Sequence, residues 1–452
     1  MVKSINKQEP IVIQGAGLAG SLMALYLARQ GYRVEVYERR PDMRTTEQYA
    51  GRSINLAISV RGLHAMEEVG LLEEVKKMCI PMRGRVVHDL AGDTNFQPYS
   101  KDGTTAINSI SRGDLNLLLI NEADAYDNIR FHFRYRCVGL DVDTGAVEMR
   151  HEATGETHSV QGQVVLACDG AFSGVRYSLQ KTPRFNYSQE FHSHAYKELS
   201  FPPAAGGGWR VDKHALHIWP RGGYMLIALP NLDGSFTVTL FYPREGEESF
   251  ATLDASVAEA EAFFRREFPD ALDLIPDFAE EFTANPTADL VTVRCSPWVY
   301  RDKVALLGDA AHAVVPFYGQ GMNAAFEDCT VMHECIQASR DWQTAFERYN
   351  SRRVANGQAI ATLAQEHYIE MRDSVGDSDW LLRKAIEFRL ERTFPERYIS
   401  LYEMVSFTRT PYAEAMRKGE INEQILHTLA EDIDHADHAD LAQAEQLIGE
   451  LL

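Results

Sequence analysis

Residues 306–328 read LLGDAAHAVVPFYGQGMNAAFED, and no other stretch of this 452-residue chain restricts its fold as tightly. An apolar run ends at Gly308-Asp309. Small residues and Pro316 follow, and a glycine-rich segment then opens a helix at about Gln320. The order describes a strand, a turn and a helix start. At such a junction an aspartate can bond a hydroxyl-rich linker, while the unpaired N–H groups of the helix start face an electron-rich ring. Two pieces of the same kind stand upstream and give the stretch its meaning.

The first is IVIQGAGLAGSLMALYLARQGYRVEVYER, directly after Pro10. Residues 11–13 form a short apolar run bounded by turn residues, as in a buried parallel strand. Gly15-Ala16-Gly17-Leu18-Ala19-Gly20 is a GxGxxG. Leu22, Leu25, Tyr26 and Ala28 follow at helical spacing, and Gly31 stands where a helix should stop. Residues 34–37 predict a second strand with Glu38 at its end. Gly15 permits a tight turn, Gly17 lets a pyrophosphate approach the backbone, Gly20 lets helix and strand pack, and Glu38 can accept ribose hydroxyls. The set fits NAD or FAD and disfavours NADP, whose ribose phosphate Glu38 would repel.

The second piece is QVVLACDGAFSGVR at 163–176, an apolar strand ending at Asp169-Gly170 before a turn with Ser173, Gly174 and Arg176. It reads either as an ordinary strand-to-helix turn or as a loop near a pyrophosphate or a passing nicotinamide. Arg112 stands just before the helical run LNLLLINEA, where it could pair with a diphosphate; a solvated arginine is the competing reading. Residues 215–243 differ in kind. Strand-like stretches separated by Arg221-Gly222-Gly223 and Asn231-Leu232-Asp233-Gly234 predict an antiparallel meander, with a hairpin at 85–99 added to it. Residues 252–267 read as one helix, and from about 342 the chain is mostly helical.

Composition narrows the partners. A net charge of -20 argues against nucleic acid and anionic membranes. No apolar run reaches the length of a membrane span, and the N-terminus lacks a signal-peptide pattern. The six cysteines form no CxxC pair, so no metal site is expected, and reduced thiols in a cytoplasmic protein are the simplest reading.

GAGLAG with Glu38, then Asp169-Gly170, then Gly308-Asp309 before a helix is the layout of the single-component FAD aromatic hydroxylases, of the para-hydroxybenzoate hydroxylase fold. Within that layout GRSINLA (51–57), LPNLDGSFTVTLF (229–241), VPFYGQGMNAAFED (315–328), YIEMR (368–372) and YEMVSF (402–407) resemble the kynurenine 3-monooxygenase family over nearly the whole chain. The resemblance implies an α/β chain: a Rossmann-like FAD-binding domain, an inserted antiparallel-sheet substrate domain and a helical C-terminal region. The expected boundaries are 8–180 for the first FAD-binding part, with 82–100 lending strands to the substrate sheet, then 181–295 for the substrate domain, 296–375 for the second FAD-binding part and 376–452 for the helical region.

It further implies bound FAD, with NADPH and O2 as co-substrates, and hydroxylation of L-kynurenine beside its ring amine. FAD when bound supplies the electrophilic oxygen, so no protein nucleophile or metal is needed. Leu18, Glu38, Arg39, Ala57, Arg112, Asp309, Met322 and Asn323 match FAD-contact positions, beside Gly15, Gly17, Gly20 and Gly321 of the glycine motifs. Pro316, Phe317 and Gln320 would shape and polarise the flavin side of the reaction. Arg85 matches the carboxylate anchor and Tyr99 bonds the same group. Glu370 and Tyr402 match contacts to the amino acid end. Leu216, Met225, Ile227, Leu229, Phe241 and Phe317 would wall the ring.

One position departs from the family, which usually has Asn where this chain has His367. An imidazole can replace one amide bond but not both functions. Read without the resemblance, Arg85 would be a strand-surface arginine paired with Asp89 or Asp93, Glu370 a helix residue on a solvated face or in an i, i+3 contact, and Tyr99 and Tyr402 half-buried core tyrosines. His312 is expected to bond the turn backbone. NADPH has no second Rossmann site and would dock transiently, with no residue assigned. The partner expected is a small aromatic amino acid, with neither nucleic acid nor membrane anchor, and the protein a monomer or homodimer. The competing functions are hydroxylation of another aromatic acid, a flavin-linked reductase needing a long apolar channel, and a flavin-binding module without catalysis.

Overall fold

The apolar runs that end in the three glycine motifs become neighbouring strands. In the computed structural model, which describes residues 4–45, 55–100, 103–374 and 377–452, Ile11–Gln14 pairs in parallel with Val34–Glu38 on one side and with Val164–Ala167 on the other. Val164–Ala167 pairs in parallel with Val304–Leu306 in turn. Ile129–Phe133 and Val299–Tyr300 complete a six-stranded sheet, the last of them antiparallel. The four central strands are buried along their whole length, which is why each reads as an unbroken apolar run. Because they are parallel, the turns at Gly15, Asp169 and Gly308 and the carboxylate of Glu38 all leave the same end of the sheet. In open parallel sheets ligands bind outside that carboxyl end.

This sheet belongs to one of two compact units, formed by Met1–Met78, Ile110–Glu190 and Val291–Thr362. Helix Leu18–Arg29 follows the first glycine motif and stops where expected, with Gly31 at φ +79°. Helix Arg112–Asp124 starts at Arg112 itself, capped by the Ser111 side chain, three residues before the run LNLLLINEA in which the sequence placed it.

The other unit comprises Cys79–Ser109, Phe191–Leu290 and Leu363–Leu452. Its sheet holds the predicted meander of Ala215–Pro220, Met225–Pro230 and Phe236–Pro243, antiparallel throughout. The predicted hairpin forms too, Gly84–His88 against Thr94–Pro98. Its junction with the meander is not antiparallel as expected. Gly84–His88 pairs in parallel with Ala215–Pro220, because a long intervening stretch of chain brings the second strand back in the same direction. The single helix expected over 252–267 is two helices, Phe250–Leu253 and Val257–Glu267. Ser256 interrupts them, since its side chain accepts the Glu259 N–H and caps a new helix start.

Register sorts the faces of this sheet. Trp219, Leu226, Ala228, Val238 and Leu240 join Phe263, Phe264, Phe278 and Phe282 in an aromatic-rich core under the helices. On the opposite face Arg85 lies beside Leu216, Ile218 beside Ile227 and Met225 beside Phe241. Towards the C-terminus, helices Ser378–Thr393, Tyr412–Ala430 and Leu441–Leu451 share a smaller core around Ile386, Leu390, Tyr398 and Ile425. Helix Trp342–Ile369 runs straight into a π-helical turn, Glu370–Ser374.

Candidate active site

Backbone geometry at the carboxyl end of the parallel sheet fits a dinucleotide. Gly15 sits at φ +92°, and a Cβ there would stand 2.4 Å from the Cys168 carbonyl oxygen. A Cβ on Gly20 would come within 1.9 Å of the Gly15 carbonyl oxygen, so helix and strand touch backbone to backbone. A Cβ on Gly17 would meet nothing within 4 Å. The space in front of Gly17 is therefore open, and no side chain caps the helix that starts at Leu18. Free N–H groups and open space at one point are what a pyrophosphate needs.

Glu38 is buried at the end of its strand. Its carboxylate accepts the Ala16 N–H at 2.8 Å and the Arg40 N–H and Nε at 2.9 Å each. Burial pushes the carboxyl up, but the bonds from Arg40 and Ala16 outweigh it and hold Glu38 below its ordinary value. It is a fixed anion at the turn. Arg39 and Arg112 point to solvent. Asp309 is exposed on the first turn of a short helix, with no partner for its carboxylate among the described residues.

Asn323 is used differently from what its place in the motif suggests. Its Oδ1 accepts the Ser59 N–H at 2.9 Å and the Gly62 N–H at 3.3 Å, and its Nδ2 donates to Ala57 O at 2.8 Å and Gly319 O at 2.9 Å. The side chain is spent on bracing the turn, and only the backbone N–H remains for a ligand. With those of Gly321 and Met322 it forms the unpaired start of helix Gly321–Gln337. Pro316 and Phe317 lie in the 3-10 turn Pro316–Tyr318 just before it, and Gln320 Nε2 reaches Ser59 Oγ at 3.4 Å. Residues 51–54 of the GRSINLA motif lie outside the described residues.

A buried ionic network, invisible in the sequence, holds this turn. Asp328 accepts the Gly308 N–H at 2.9 Å, His312 Nε2 at 2.6 Å and Arg353 Nε at 2.7 Å. Glu327 joins Arg353 to Arg61. His312 is structural as expected, but its partner is Asp328, and Asp328 makes the turn bond that His312 was expected to make. Burial pushes the Asp328 carboxyl up, and His312 and Arg353 outweigh it, leaving it below the ordinary carboxylate range. Arg176 is structural too: its guanidinium bonds Ala310 O and Ala171 O and ties the two later turns together.

In the other unit the structure gathers the residues expected to meet a substrate. Arg85 is 7% exposed and does not pair with Asp89 or Asp93; its Nη1 is buried without an acceptor among the described residues. The guanidinium stands 5.6 Å from the Tyr99 ring and 6.0 Å from the Tyr402 ring. Those rings stack at 5.3 Å, and burial raises both phenols, so each stays protonated. The His367 ring lies 5.9 Å from Tyr402, and its Nδ1 meets Glu370 Oε2 at 2.9 Å.

The i, i+3 contact anticipated for Glu370 therefore exists, with the histidine as partner. The Glu370 side chain remains 31% accessible, and its other oxygen has no partner among the described residues. Burial pushes this carboxyl up, while His367, Lys384 and Arg85 pull it further down and keep it ionised. Lys384, which no motif signalled, bonds Glu387 at 2.7 Å. Met225 and Phe241 are buried and Leu216, Ile227 and Leu229 partly so, all on the sheet face that carries Arg85.

Comparison with known proteins agrees with this geometry. Residues 8–364 match the family described as FAD binding domain. The kynurenine 3-monooxygenase of Myxococcus xanthus (strain DK1622) is 47% identical over 98% of this chain and 95% of its own length. That of Dictyostelium discoideum is 42% identical over 99% of both. Among solved structures, 2-methyl-3-hydroxypyridine-5-carboxylic acid oxygenase superposes with a TM-score of 0.67 over 83% of this chain and 96% of its own, at 18% identity, a likeness of fold. A variant of HpxO from Klebsiella pneumoniae, complexed with FAD, gives 0.65 over 96% and 100%, also at 18%. Among the described residues no helix is long and apolar enough to cross a membrane. The chain belongs to the kynurenine 3-monooxygenase family, flavin-dependent aromatic monooxygenases that use FAD with NADPH and O2.

Proposed function

We propose that the protein hydroxylates L-kynurenine to 3-hydroxykynurenine and that the residues gathered above are its working parts. Arg85 carries the reading. A buried cation whose Nη1 has no acceptor among the described residues, near an ionised carboxylate and on the sheet face of Leu216, Met225, Ile227 and Phe241, suits the amino acid end of an aromatic substrate. Arg85 would take the carboxylate, with the Tyr99 hydroxyl on the same group. Glu370 would take the ammonium through its free oxygen, and Tyr402 and His367 would frame that end. Leu216, Met225, Ile227, Leu229 and Phe241 would hold the ring and keep water away.

On the cofactor side, the N–H groups following Gly17 would hold the pyrophosphate, with Arg112 beside it, and Glu38 and Arg39 the ribose end. Asp309 would bond the ribityl chain. The N–H groups of Gly321, Met322 and Asn323, with Ala57 beside them, would stabilise negative charge on the flavin ring. Pro316, Phe317 and Gln320 would shape its surroundings. Bound FAD supplies the oxygen-activating chemistry, and the substrate's own aniline amine activates the ring carbon beside it. The protein's tasks are then orientation, charge stabilisation and exclusion of water, and none of its groups need become a nucleophile. A cytoplasmic enzyme, monomeric or homodimeric, belongs to the same reading.

The test is NADPH oxidation by the purified yellow protein with and without L-kynurenine, with product identified by mass. Acceleration with a product heavier by one oxygen is expected. Acceleration that yields only peroxide would make kynurenine an effector and refute the assignment.

A further inference from the structure

Thr239 is a buried polar residue on the sheet face proposed to hold the ring, and the reading above gives it no task. It lies in the strand Phe236–Pro243 and is 7% exposed. Residues directly opposite each other on an antiparallel ladder share a face, and Thr239 is opposite Ile227. On that face Phe241 with Met225 is the next pair in one direction, and Thr237 with Leu229 in the other. The Thr239 hydroxyl makes no hydrogen bond with any described residue. Its polar neighbours on the face are occupied or apart from it. Thr237 accepts Asn231 Nδ2 at 3.3 Å, and Ser200 is bonded to Glu281. Glu198 pairs with Thr239 across the ladder without a bond between their side chains.

The hydroxyl stands at a useful distance from Arg85. Its row runs through Ile227 and Ile218 to Val87, two residues along the strand from Arg85. Three strand spacings and two residues of rise separate the two backbones by about 16 Å. The arginine stem shortens this, leaving on the order of 10–15 Å between guanidinium and hydroxyl. In an ortho-aminophenyl keto amino acid six bonds join the carboxylate carbon to the ring amine, about 7 Å when extended. A hydrogen bond of about 2.9 Å at each end brings the span to about 13 Å.

The ring amine carries two N–H groups. One closes an internal bond to the neighbouring ketone oxygen. The other points away and loses its water partner in an apolar pocket, at a cost unless an acceptor is present. A hydroxyl oxygen is such an acceptor. An amine that donates keeps its lone pair conjugated with the ring, so this contact preserves the electron density that hydroxylation needs. A donor aimed at the nitrogen would withdraw it.

We infer that the Thr239 hydroxyl accepts the outward N–H of the substrate's ring amine and selects ortho-aminophenyl ketones over phenyl ketones. This rests on the reading of Arg85 as the carboxylate anchor. A site built to bond a polar group rejects the analogue that lacks it, because its own polar group is then left unpaired.

The experiment measures dissociation constants of L-kynurenine and of its analogue without the ring amine, 2-amino-4-oxo-4-phenylbutanoate, by calorimetric titration of the FAD-loaded protein. Wild type is compared with Thr239→Val, which keeps the shape, and Thr239→Ser, which keeps the hydroxyl. Wild type should bind kynurenine about tenfold more tightly than the analogue, the equivalent of about 1.4 kcal/mol. Thr239→Val should bind the two about equally, with the analogue's constant unchanged, and Thr239→Ser should retain the preference. Equal weakening of both compounds in Thr239→Val would mean that the hydroxyl serves the shared ketone, and overturns the inference. So does a preference that survives in Thr239→Val. Wild type binding both compounds equally overturns it without any variant, should Thr239→Val not fold. If kynurenine neither binds wild type nor accelerates its NADPH oxidation, the substrate reading itself fails and takes this inference with it.

Discussion

Replacing Arg85 with methionine should separate binding from stability. The side chain is 7% exposed and its Nη1 is a buried donor without an acceptor among the described residues. Such a donor costs about 1–3 kcal/mol. Offsetting that are attraction to Glu370 and contacts with the faces of Tyr99 and Tyr402, the latter about 0.5–1 kcal/mol each. The terms nearly cancel. Arg85→Met, which keeps the apolar stem, should therefore change unfolding stability by less than about 1 kcal/mol. Binding is one-sided. Removing one partner of a buried, hydrogen-bonded charge pair costs about 2–5 kcal/mol. A loss of about 3 kcal/mol raises the kynurenine KM about 150-fold. Steady-state NADPH oxidation gives KM, urea unfolding gives stability, and absorbance of the dialysed protein shows whether FAD is retained. A variant losing more than about 2 kcal/mol of stability with its KM within about threefold of wild type would make Arg85 a structural residue and refute the argument.

Two further perturbations address the cofactor unit. Asp328→Ala strips three donors of their acceptor and leaves buried Arg353 with Glu327 as its one carboxylate partner among the described residues; it should destabilise this unit by about 3–5 kcal/mol and release FAD. A thermal unfolding midpoint unchanged from wild type would contradict this. Because the folded state holds the Asp328 carboxyl below its ordinary value, its contribution is complete above the unfolded-state value, and should be lost as pH falls through the folded value. Glu38→Ala should weaken FAD retention, since it removes the fixed anion expected at the ribose. A variant that stays fully yellow through dialysis would rule out that contact.

The cofactor unit was legible because its signals are local. The motif around Gly15, the Asp169-Gly170 turn and Gly308-Asp309 each lie within a few residues of the strand they end, so apolar runs and turn residues suffice to place them. The cluster proposed to meet the substrate spreads from Arg85 to Tyr402, and only resemblance to a family linked its members. Without it, Arg85 reads as a surface residue, and strand periodicity cannot correct that, because helical segments far along the chain supply His367, Glu370 and Tyr402 beside it. Lys384, Arg353 and the role of Asp328 carried no signal, since a buried ion pair is defined by a partner in space. The break at Ser256 was missed because a capping serine and a mid-helix serine differ only in backbone angle.

By itself the sequence determined the dinucleotide turn, its strand order along the chain and the meander, because propensity, periodicity and glycine sterics act over a few residues. Tertiary structure decided which charges are paired. It spent the Asn323 side chain on the backbone, left Arg85 Nη1 without an acceptor among the described residues and set His367 against Glu370. Those outcomes depend on distances of about 3 Å between groups brought together by folding, where burial strengthens every electrostatic interaction, and no local pattern encodes them.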